Sequence, residues 1–363
     1  MKKTLAAVLA LILVALSSFA VCATDTQITG ANWMSAVDGS VSVTKINMPG
    51  THDSLTKYIG ASLVSKTQSL SVSQQLFSGV RYFDMRLNIS GDEIIGFHGS
   101  LRCKSSYGLF AKDLTAGEVV EDCKSFLKSN PGETVLFLLR QEGGEDSPKL
   151  FSLFYEKYIA QSPEAWFTEN RIPSLDEVRG KIVLLRACQI DSSRFDDTNS
   201  GLNFTGYPYI SSTDMNDFRL CPIDNFALGT YAFMYVQDSY KLSSSKKIEV
   251  VRNFLDSDLD SNDFNICCTN TVGGNTPLGN SSKVNSFLMS YPFESGKTYG
   301  IIVSDFTTKE LCERVYMTNA EIMTETVIAS SEIPENTENY GFLGKFIEAI
   351  RAFLEKIVLL FSK

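Results

Sequence analysis

The sequence contains very few histidines and fewer basic than acidic residues. His52 and His98 are the only histidines in 363 residues, so any imidazole chemistry must use one or both of them. Lysine and arginine number 33 against 42 aspartates and glutamates, which gives a net charge of −9. This balance argues against nucleic-acid binding and provides no general attraction to anionic lipid, so any membrane contact must be local.

Cysteine spacing gives no sign of a zinc site. The cysteines that follow residue 23 are odd in number, and no two of them form a CxxC pair. Residues 1–23 have the pattern of a secretory signal peptide, because Lys2 and Lys3 precede the apolar run Leu5–Ala20 and a small-residue cleavage site follows. We therefore expect a secreted protein, in which disulfides are permitted but their pairing is not fixed by the sequence.

Both histidines lie in glycine-flanked turns that follow apolar, strand-like runs. His52 belongs to NMPGTHDS at 47–54, and His98 belongs to GFHGS at 96–100. Between them lies the strand-like VRYFDMRL at 80–87, which ends with Asp84 and Arg86. Two imidazoles with nearby carboxylates and a guanidinium are the groups needed to cleave a phosphodiester by general base and general acid catalysis.

Such a mechanism suits a phosphodiester whose alcohol carries a neighbouring hydroxyl. One imidazole removes the proton of that hydroxyl, the oxygen attacks phosphorus, and the second imidazole protonates the departing oxygen. The same residues allow two other interpretations: the histidines are structural, or they bind a metal ion together with Asp53, Asp84 and Glu142. Arg86 disfavours the metal site because one cation repels another, but spacing alone leaves the alternatives open.

Predicted strands alternate with predicted helices along the chain, which favours a parallel sheet and, over about 300 residues, an α/β barrel. The predicted strands end in charged residues. In a barrel such ends meet at one face, where barrel enzymes place their catalytic groups. The residues that end or follow the predicted strands are His52, Asp84, Arg86, His98, Arg140, Glu142, Arg186, Asp238 and Asp305.

Several local patterns give predictions that a structure can test. Ser42–Asn47 alternates and predicts the first strand, and Thr115 with Glu118 predicts a capping box at the start of a helix. Composition predicts an extended loop with at most one strand over Asp191–Ala227. It also predicts a loop over the glycine- and asparagine-rich Cys267–Lys283.

The end of the chain differs in composition from the rest. In Gly341–Lys363 apolar residues recur at helical spacing with charged residues on the opposite side, which predicts an amphipathic helix too charged to span a membrane. Its apolar face either packs on protein or lies in a lipid interface. The predicted organisation is a signal peptide at 1–23, a catalytic barrel at 24–330, a linker at 331–340 and this helix at 341–363.

Seven segments resemble, in order, the catalytic X domain of phosphatidylinositol-specific phospholipases C of the bacterial, metal-independent type. The resemblance covers residues 33–318, and its most specific elements are PGTHDS and FDMR in combination. The segments are NMPGTHDS (47–54), VRYFDMRL (80–87), GFHG (96–99), ETVLFLLRQE (133–142), RGKIVLLR (179–186), VQDSY (236–240) and VSD (303–305). The resemblance implies a distorted, incompletely closed TIM-like (β/α) barrel. It also implies a lyase that converts phosphatidylinositol into diacylglycerol and inositol 1,2-cyclic phosphate without a cofactor, with slower hydrolysis to inositol 1-phosphate.

The resemblance also implies roles for individual residues. His52 matches the general base and Asp305 its paired carboxylate, whereas His98 matches the general acid and Asp53 its partner. Arg86 matches a phosphate-binding guanidinium that takes the place of calcium in the metal-dependent branch, so no metal is expected. The residues expected to support the site or bind inositol are Asp84, Arg140, Glu142, Arg186, Asp238 and Tyr240.

Some of these matches depart from the family pattern. Arg140 stands where a lysine is frequent, which keeps the charge but changes the donor geometry, and Arg186 is one position out of step with the family's arginine. Both free phosphatidylinositol and glycosylated phosphatidylinositol anchors are compatible substrates at a membrane surface. The alternatives are a calcium-dependent phosphodiesterase and a non-catalytic lipid- or glycan-binding barrel, although none of the matched catalytic residues is missing.

Overall fold

A twelve-stranded sheet, mostly parallel, forms the centre of the molecule. The structure, a computed structural model, describes residues 27–144, 146–208, 218–225 and 230–324, with the backbone alone at 218–225 and 230–232. The strands are β1 Met48–Thr51, β2 Tyr82–Ser90, β3 Glu93–His98, β4 Leu101–Arg102, β5 Val135–Gln141, β6 Trp166–Phe167, β7 Ile182–Ala187, β8 Leu202–Asn203, β9 Phe218–Asn225, β10 Thr230–Gln237, β11 Phe264–Cys268 and β12 Ile301–Ser304.

Helices connect most of the strands and cover the outside of the sheet. The α-helices in the described part of the chain are α1 Ser62–Ser65, α2 Val72–Ser78, α3 Ala116–Ser129, α4 Pro148–Phe154, α5 Leu175–Val178, α6 Ser244–Asp256, α7 Pro277–Ser290 and α8 Lys309–Tyr316. A π-helical turn, Tyr155–Ile159, continues α4.

The strand order is β6-β7-β5-β2-β1-β12-β11-β10-β9, an open path rather than a closed ring. Neighbours along this path are parallel except β9 and β10, while β3 and β4 extend from β2 as an antiparallel appendage. The first and last strands of the described residues pair directly, with Thr51 opposite Ser304. The expected distorted, incompletely closed barrel is therefore confirmed, and the pairing brings the ends of β1 and β12 together.

The central strands are buried on both faces, as their sequences predict. Val135–Leu139 of β5 and Ile182–Leu185 of β7 are fully buried, which explains why they read as continuous apolar runs. The predicted capping box is also confirmed, since Thr115 Oγ1 accepts the N–H of Glu118 while the Glu118 carboxylate accepts the N–H of Thr115.

The first predicted strand is wrong. Within Ser42–Asn47 the structure has a 3-10 turn, Val43–Lys45, in which the N–H of Lys45 donates to the Ser42 carbonyl. Val43 and Ile46 are both buried because they are three residues apart on this turn, not because they alternate on a strand. The strand begins later, at Met48, where pairing with β12 becomes available.

Two predicted loops contain regular structure. Cys267–Lys283 includes the end of β11 and the start of α7. Thr276 caps the amino end of α7, since its hydroxyl accepts the N–H of Gly279, and Pro277 is the first residue of the helix. A threonine followed by proline is a signal for the start of a helix, but the glycine-rich composition of this segment predicted a loop. The Asp191–Ala227 segment holds two strands, β8 and β9.

The six cysteines whose side chains the structure describes are all buried and free, so no disulfide forms among them. Within the described ranges, no helix has the length and apolar character needed to cross a bilayer. The predicted signal peptide, the linker and the terminal amphipathic helix lie outside the described residues.

Candidate active site

A cavity of about 240 Å³ opens at the carboxyl ends of the parallel strands. Nine of the eleven predicted site residues line it. These are His52, Asp53, Arg86, His98, Arg140, Glu142, Asp238, Tyr240 and Asp305. The convergence expected for a barrel therefore occurs, although these residues come from six different strand ends.

His52 is held by a carboxylate from the far end of the sequence. Its Nδ1 lies 2.8 Å from Oδ1 of Asp305 in a hydrogen bond. Asp305 directly follows β12, and His52 directly follows β1, so the pairing of these two strands places the groups together. Because Asp305 engages Nδ1, the other ring nitrogen, Nε2, is left for proton transfer.

Asp53 lies between the two histidines. Its Oδ2 is 3.3 Å from Nε2 of His52 and 2.9 Å from Nδ1 of His98, so the two nitrogens are at most about 6 Å apart. The backbone of Asp53 has φ of +42°, in the left-handed region that non-glycine residues seldom adopt. The strained turn aims the carboxylate inward, and the two imidazoles face one cavity.

Arg86 neutralises the carboxylates behind the histidines. Its Nε lies 2.7 Å from Oδ1 of Asp53 and 2.9 Å from Oδ2 of Asp84. Asp84 does not line the cavity; its Oδ2 also accepts the N–H of Asp53, and its Oδ1 lies 3.5 Å from Nη1 of Arg140. Asp84 therefore positions the two arginines from behind.

The same guanidinium argues against a metal ion. Atoms of His52, Asp53 and Asp84 lie within 4.8 Å of one another, a spacing that by itself suits a metal site. However, Arg86 already contacts oxygens of both carboxylates, so a divalent cation there would be repelled by a fixed positive charge. These residues fit an arginine-neutralised anion site better than a calcium site.

Charge pairing shifts the pKa values of the central groups. Burial alone would lower the pKa of His52, but Asp53 and Asp305 outweigh it and raise that pKa to about 9. Burial would raise the pKa of Asp53, yet Arg86 and the two imidazoles hold it well below its usual range. At neutral pH Asp53 is therefore ionised, and it stabilises the charged forms of His52 and Arg86 beside it.

The remaining wall of the cavity offers polar groups for a hydroxylated ligand. Asp238 follows β10, and its Oδ1 is buried without a hydrogen-bond partner among the described residues. Oε1 of Glu142 accepts the N–H of Gly99, which fixes the turn after His98. Arg140 and Tyr240 complete this wall.

Arg186, like Asp84, is a predicted site residue that does not line the cavity. Its Nε donates to the Ser200 carbonyl at 3.1 Å, and its Nη1 donates to the Cys188 carbonyl at 2.8 Å. The guanidinium is thus directed at the backbone of the following loop, which it stabilises.

The cavity also includes residues that the sequence analysis did not single out: Val64, Thr67, Asn270, Thr271, Val272 and Pro277. Most of them belong to the segment after β11 that was expected to be an undifferentiated loop. Asn270 has a buried Oδ1 without a hydrogen-bond partner in the described part of the chain. The sequence signal for these residues was their position, because the polar run Thr269–Thr271 directly follows the buried strand β11.

Comparisons with known proteins agree with this geometry. Residues 48–187 match the family model for the phosphatidylinositol-specific phospholipase C X domain. A 1-phosphatidylinositol phosphodiesterase of Staphylococcus aureus strain Newman is 30% identical over 245 residues, which cover 65% of this chain and 72% of that protein. The chain belongs to this phospholipase C family. A 1-phosphatidylinositol phosphodiesterase of Listeria monocytogenes is 25% identical over 310 residues, 81% of this chain and 86% of its own.

Solved structures of phosphatidylinositol-specific phospholipases C share the fold. A Staphylococcus aureus enzyme studied for its membrane binding matches with a TM-score of 0.64 at 23% identity, over 80% of this chain and 98% of that one. The Listeria monocytogenes enzyme matches with a TM-score of 0.58 at 23% identity, over 80% and 99%. The open barrel of this chain is therefore the bacterial phospholipase C barrel.

Proposed function

We propose that this chain is a phosphatidylinositol diacylglycerol-lyase that works without a metal ion. The observation that carries the proposal is the sharing of Asp53 by His52, His98 and Arg86 at the wall of one cavity. This arrangement supplies a base, an acid and a fixed positive charge around one bound phosphorus.

The first step is an intramolecular transfer. Nε2 of His52 takes the proton from the inositol 2-hydroxyl, and that oxygen forms a bond to phosphorus. The bond from phosphorus to the diacylglycerol oxygen breaks, and protonated His98 gives its proton to that oxygen. Arg86 stabilises the negative charge on the non-bridging oxygens. The products are diacylglycerol and inositol 1,2-cyclic phosphate.

In the second, slower step the two histidines exchange their acid and base roles. His98, now neutral, removes a proton from water, and the water oxygen attacks phosphorus. The bond to the inositol 2-oxygen breaks, and protonated His52 returns a proton to it, which yields inositol 1-phosphate. Asp305 and Asp53 hold the two rings in place and stabilise their protonated forms.

The inositol ring would contact the part of the cavity lined by Arg140, Glu142, Asp238 and Tyr240. Asp238 has an unsatisfied buried oxygen that accepts a ring hydroxyl, and Glu142 and Arg140 extend the polar lining. Tyr240 offers a ring face for stacking on the sugar. A cavity of about 240 Å³ accommodates an inositol phosphate headgroup but not the acyl chains, which must remain outside.

The mouth of the cavity suits a lipid substrate held in a membrane. Val64 and Val272 line it and are 64% and 55% exposed. We further propose that residues 24–330 form the catalytic region of a secreted enzyme, and that the 341–363 helix adds a peripheral lipid contact. Removal of that helix is expected to weaken vesicle binding more than turnover of a soluble substrate.

The decisive experiment follows the phosphorus products by NMR with phosphatidylinositol vesicles and excess chelator. We expect the cyclic phosphate first and inositol 1-phosphate later. His52→Ala and His98→Ala should each lose about 10²–10⁴-fold in kcat, since each removes one proton transfer.

Each alternative has a distinct outcome in the same assay. Activity abolished by chelator and restored by calcium would establish the calcium-dependent phosphodiesterase. Vesicle binding without any product would establish the non-catalytic barrel. Near-normal turnover by His52→Ala would refute the assigned base.

A further inference from the structure

A hairpin beside the cavity mouth carries an unusually exposed apolar tip. Lys104 pairs antiparallel with Asp113, and the N–H of Ser105 donates to the Lys112 carbonyl. At the tip, Leu109 and Phe110 are each 93% exposed. No other large apolar side chain in the described part of the chain is as exposed as these two adjacent ones. We call Lys104–Asp113 the 104–113 hairpin.

Specific contacts hold this hairpin in place rather than leaving it to pack on the core. The hydroxyl of Tyr107 accepts a hydrogen bond from Nζ of Lys66 at 3.0 Å. The ring of Tyr107 meets the ring of Tyr58 edge-on, with centroids 4.5 Å apart. Tyr107 thus anchors the base of the tip, while its two apolar neighbours project outward.

The anchor connects the hairpin to the rim of the active site. Lys66 follows α1 directly, and α1 carries Leu63 and Val64, which are 73% and 64% exposed. Val64 also lines the cavity. The tip of the hairpin and the cavity mouth therefore border the same element and share one edge of the molecule.

The charge of this edge differs from that of the whole chain. The net charge of the protein is −9. In contrast, residues 62–66 and 102–113 contain four basic side chains, Lys66, Arg102, Lys104 and Lys112, against one acid, Asp113, which pairs with both Arg102 and Lys104. A positive rim around exposed leucine, valine and phenylalanine complements an anionic lipid surface, not a second copy of an acidic protein.

We propose that the 104–113 hairpin inserts Leu109 and Phe110 into the phospholipid bilayer and forms a second lipid contact beside the cavity mouth. This inference rests on the proposed function, because a substrate embedded in a membrane requires the mouth to face the bilayer. Insertion removes both side chains from water, and the exposed Lys112, two residues from Phe110, reaches the headgroups. The hairpin then orients the mouth toward its substrate in addition to raising affinity.

The first test measures binding of the full chain to vesicles of phosphatidylcholine and phosphatidylglycerol. The double variant Leu109→Ser with Phe110→Ser should bind about tenfold or more weakly, because two apolar side chains no longer leave water. Its hydrolysis of soluble inositol 1,2-cyclic phosphate should remain within twofold of wild type. The matched control is Met289→Ser, an apolar residue that is 39% exposed and lies about 18 Å along α7 from the mouth. It should bind as wild type.

The second test measures whether the hairpin tip enters the bilayer, even if other segments contribute most of the affinity for vesicles. Phe110→Trp adds an exposed indole, whereas both native tryptophans, Trp33 and Trp166, are buried. On vesicle binding we expect a blue-shifted emission that brominated phosphatidylcholine quenches. An unquenched indole on fully bound protein would overturn the proposal, as would unchanged binding by the double variant.

Two further outcomes separate the possible failures. A concentration-dependent mass in solution that the double variant abolishes would mean that a second copy covers the tip, which overturns insertion. If the Phe110→Trp protein binds with a quenched indole but yields no phosphorus product, the proposed function fails while the lipid contact stands. If product forms and the indole stays unquenched, the inference fails alone.

Discussion

Arg81, just before β2, and Arg86, within it, show how the same side chain serves structure in one place and function in another. Arg81 immediately precedes β2 and is fully buried. Its Nε and Nη2 contact Oε2 of Glu133 at 3.0 and 2.7 Å. Its Nη1 donates to the carbonyls of Leu76 and Val80, and its Nη2 also donates to that of Gly30. All its nitrogens are therefore bonded.

Arg86 lies further along β2, where it lines the cavity, and is bonded less completely. Its side chain is 15% exposed, and its one hydrogen bond to the described residues runs from Nε to Asp84. Its other close contacts are ion pairs with Asp53 and, at 3.8 Å, with Glu142. Both carboxylate oxygens of Asp53 also lack hydrogen bonds of good geometry within the described residues.

In this barrel the completeness of hydrogen bonding separates structural charged groups from functional ones. A buried ionic group with every donor satisfied fixes the fold, because nothing remains to bind. A charged cluster that stays rigid but unsatisfied holds donors where substrate charge will develop. In this molecule the first kind lies before the amino ends of β2 and β5, and the second lies in the cavity at the carboxyl ends of the parallel strands.

The largest expected effect is a loss of activity at the cavity with little change in the stability of the fold. Arg86→Lys keeps the charge but loses the planar fork that holds Asp53 and Asp84. We expect kcat to fall about 10²–10³-fold, as for loss of one oxyanion donor, with the free energy of unfolding within about 1.5 kcal/mol of wild type. Initial rates of cyclic phosphate formation and urea unfolding provide the two measurements. A variant that loses activity only in proportion to stability would contradict this.

The matched substitution at Arg81 should show the opposite pattern. Arg81→Lys removes most hydrogen bonds of a fully buried pair and leaves Glu133 undercompensated, which should lower the free energy of unfolding by about 3–5 kcal/mol. The remaining folded protein should keep normal kcat. If Arg81→Lys were instead stable and inactive, the comparison between the two arginines would be wrong.

The cavity-end cluster was largely predictable because its motifs are local in sequence. Asp53 adjoins His52, and Asp84 is two residues from Arg86, so one strand end delivers each pair. The buried runs of β5 and β7 were equally clear. Asp305 was placed by resemblance, since its contact with His52 spans 253 residues and depends on the pairing of β1 with β12.

Other features depend on tertiary contacts that no local pattern reveals. A charged residue at a strand end does not fix the direction of its side chain, so Arg186 was expected in the cavity although it bonds loop carbonyls. The Arg81–Glu133 pair joins residues that are 52 positions apart and passed unnoticed. Asn270 carries no charge to mark it, and the helix after it was hidden by loop-like composition.

Measuring stability as a function of pH tests the charge pairing in the cavity, where both histidines lie. Burial lowers the pKa of His52, but Asp53 and Asp305 outweigh it and raise it to about 9 from an ordinary 6.5. The resulting stabilisation, about 3 kcal/mol, is complete below pH of about 6.5 and is lost as pH rises through about 9. Urea unfolding should show this loss in wild type and a much flatter profile in His52→Gln.

Activity should change in the opposite direction over the same window. The base must be neutral before it accepts a proton, so kcat/KM should rise as pH increases from 7 toward 9. A wild-type stability that is flat between pH 6.5 and 9 would show that the two carboxylates do not hold a proton on His52.

The smallest expected effect concerns Asp238, a single unsatisfied group on the inositol wall. Burial raises the pKa of Asp238, while Lys247 opposes that rise. Lys247 is itself fully buried and donates to Gln237 and to the Ser239 carbonyl. Asp238→Asn removes a costly buried charge but also a counter-charge for Lys247, so the free energy of unfolding should change by less than about 1 kcal/mol.

Substrate binding should nevertheless detect the substitution. A hydroxyl that bonded a carboxylate would bond a neutral amide oxygen, which should raise KM for phosphatidylinositol about tenfold and lower kcat less than threefold. Asp84→Asn is the matched control, because Asp84 lies behind Arg86 and should lower kcat rather than raise KM. If Asp238→Asn instead destabilised the fold by several kcal/mol, Asp238 would resemble Arg81, and incomplete bonding would no longer distinguish functional from structural charges.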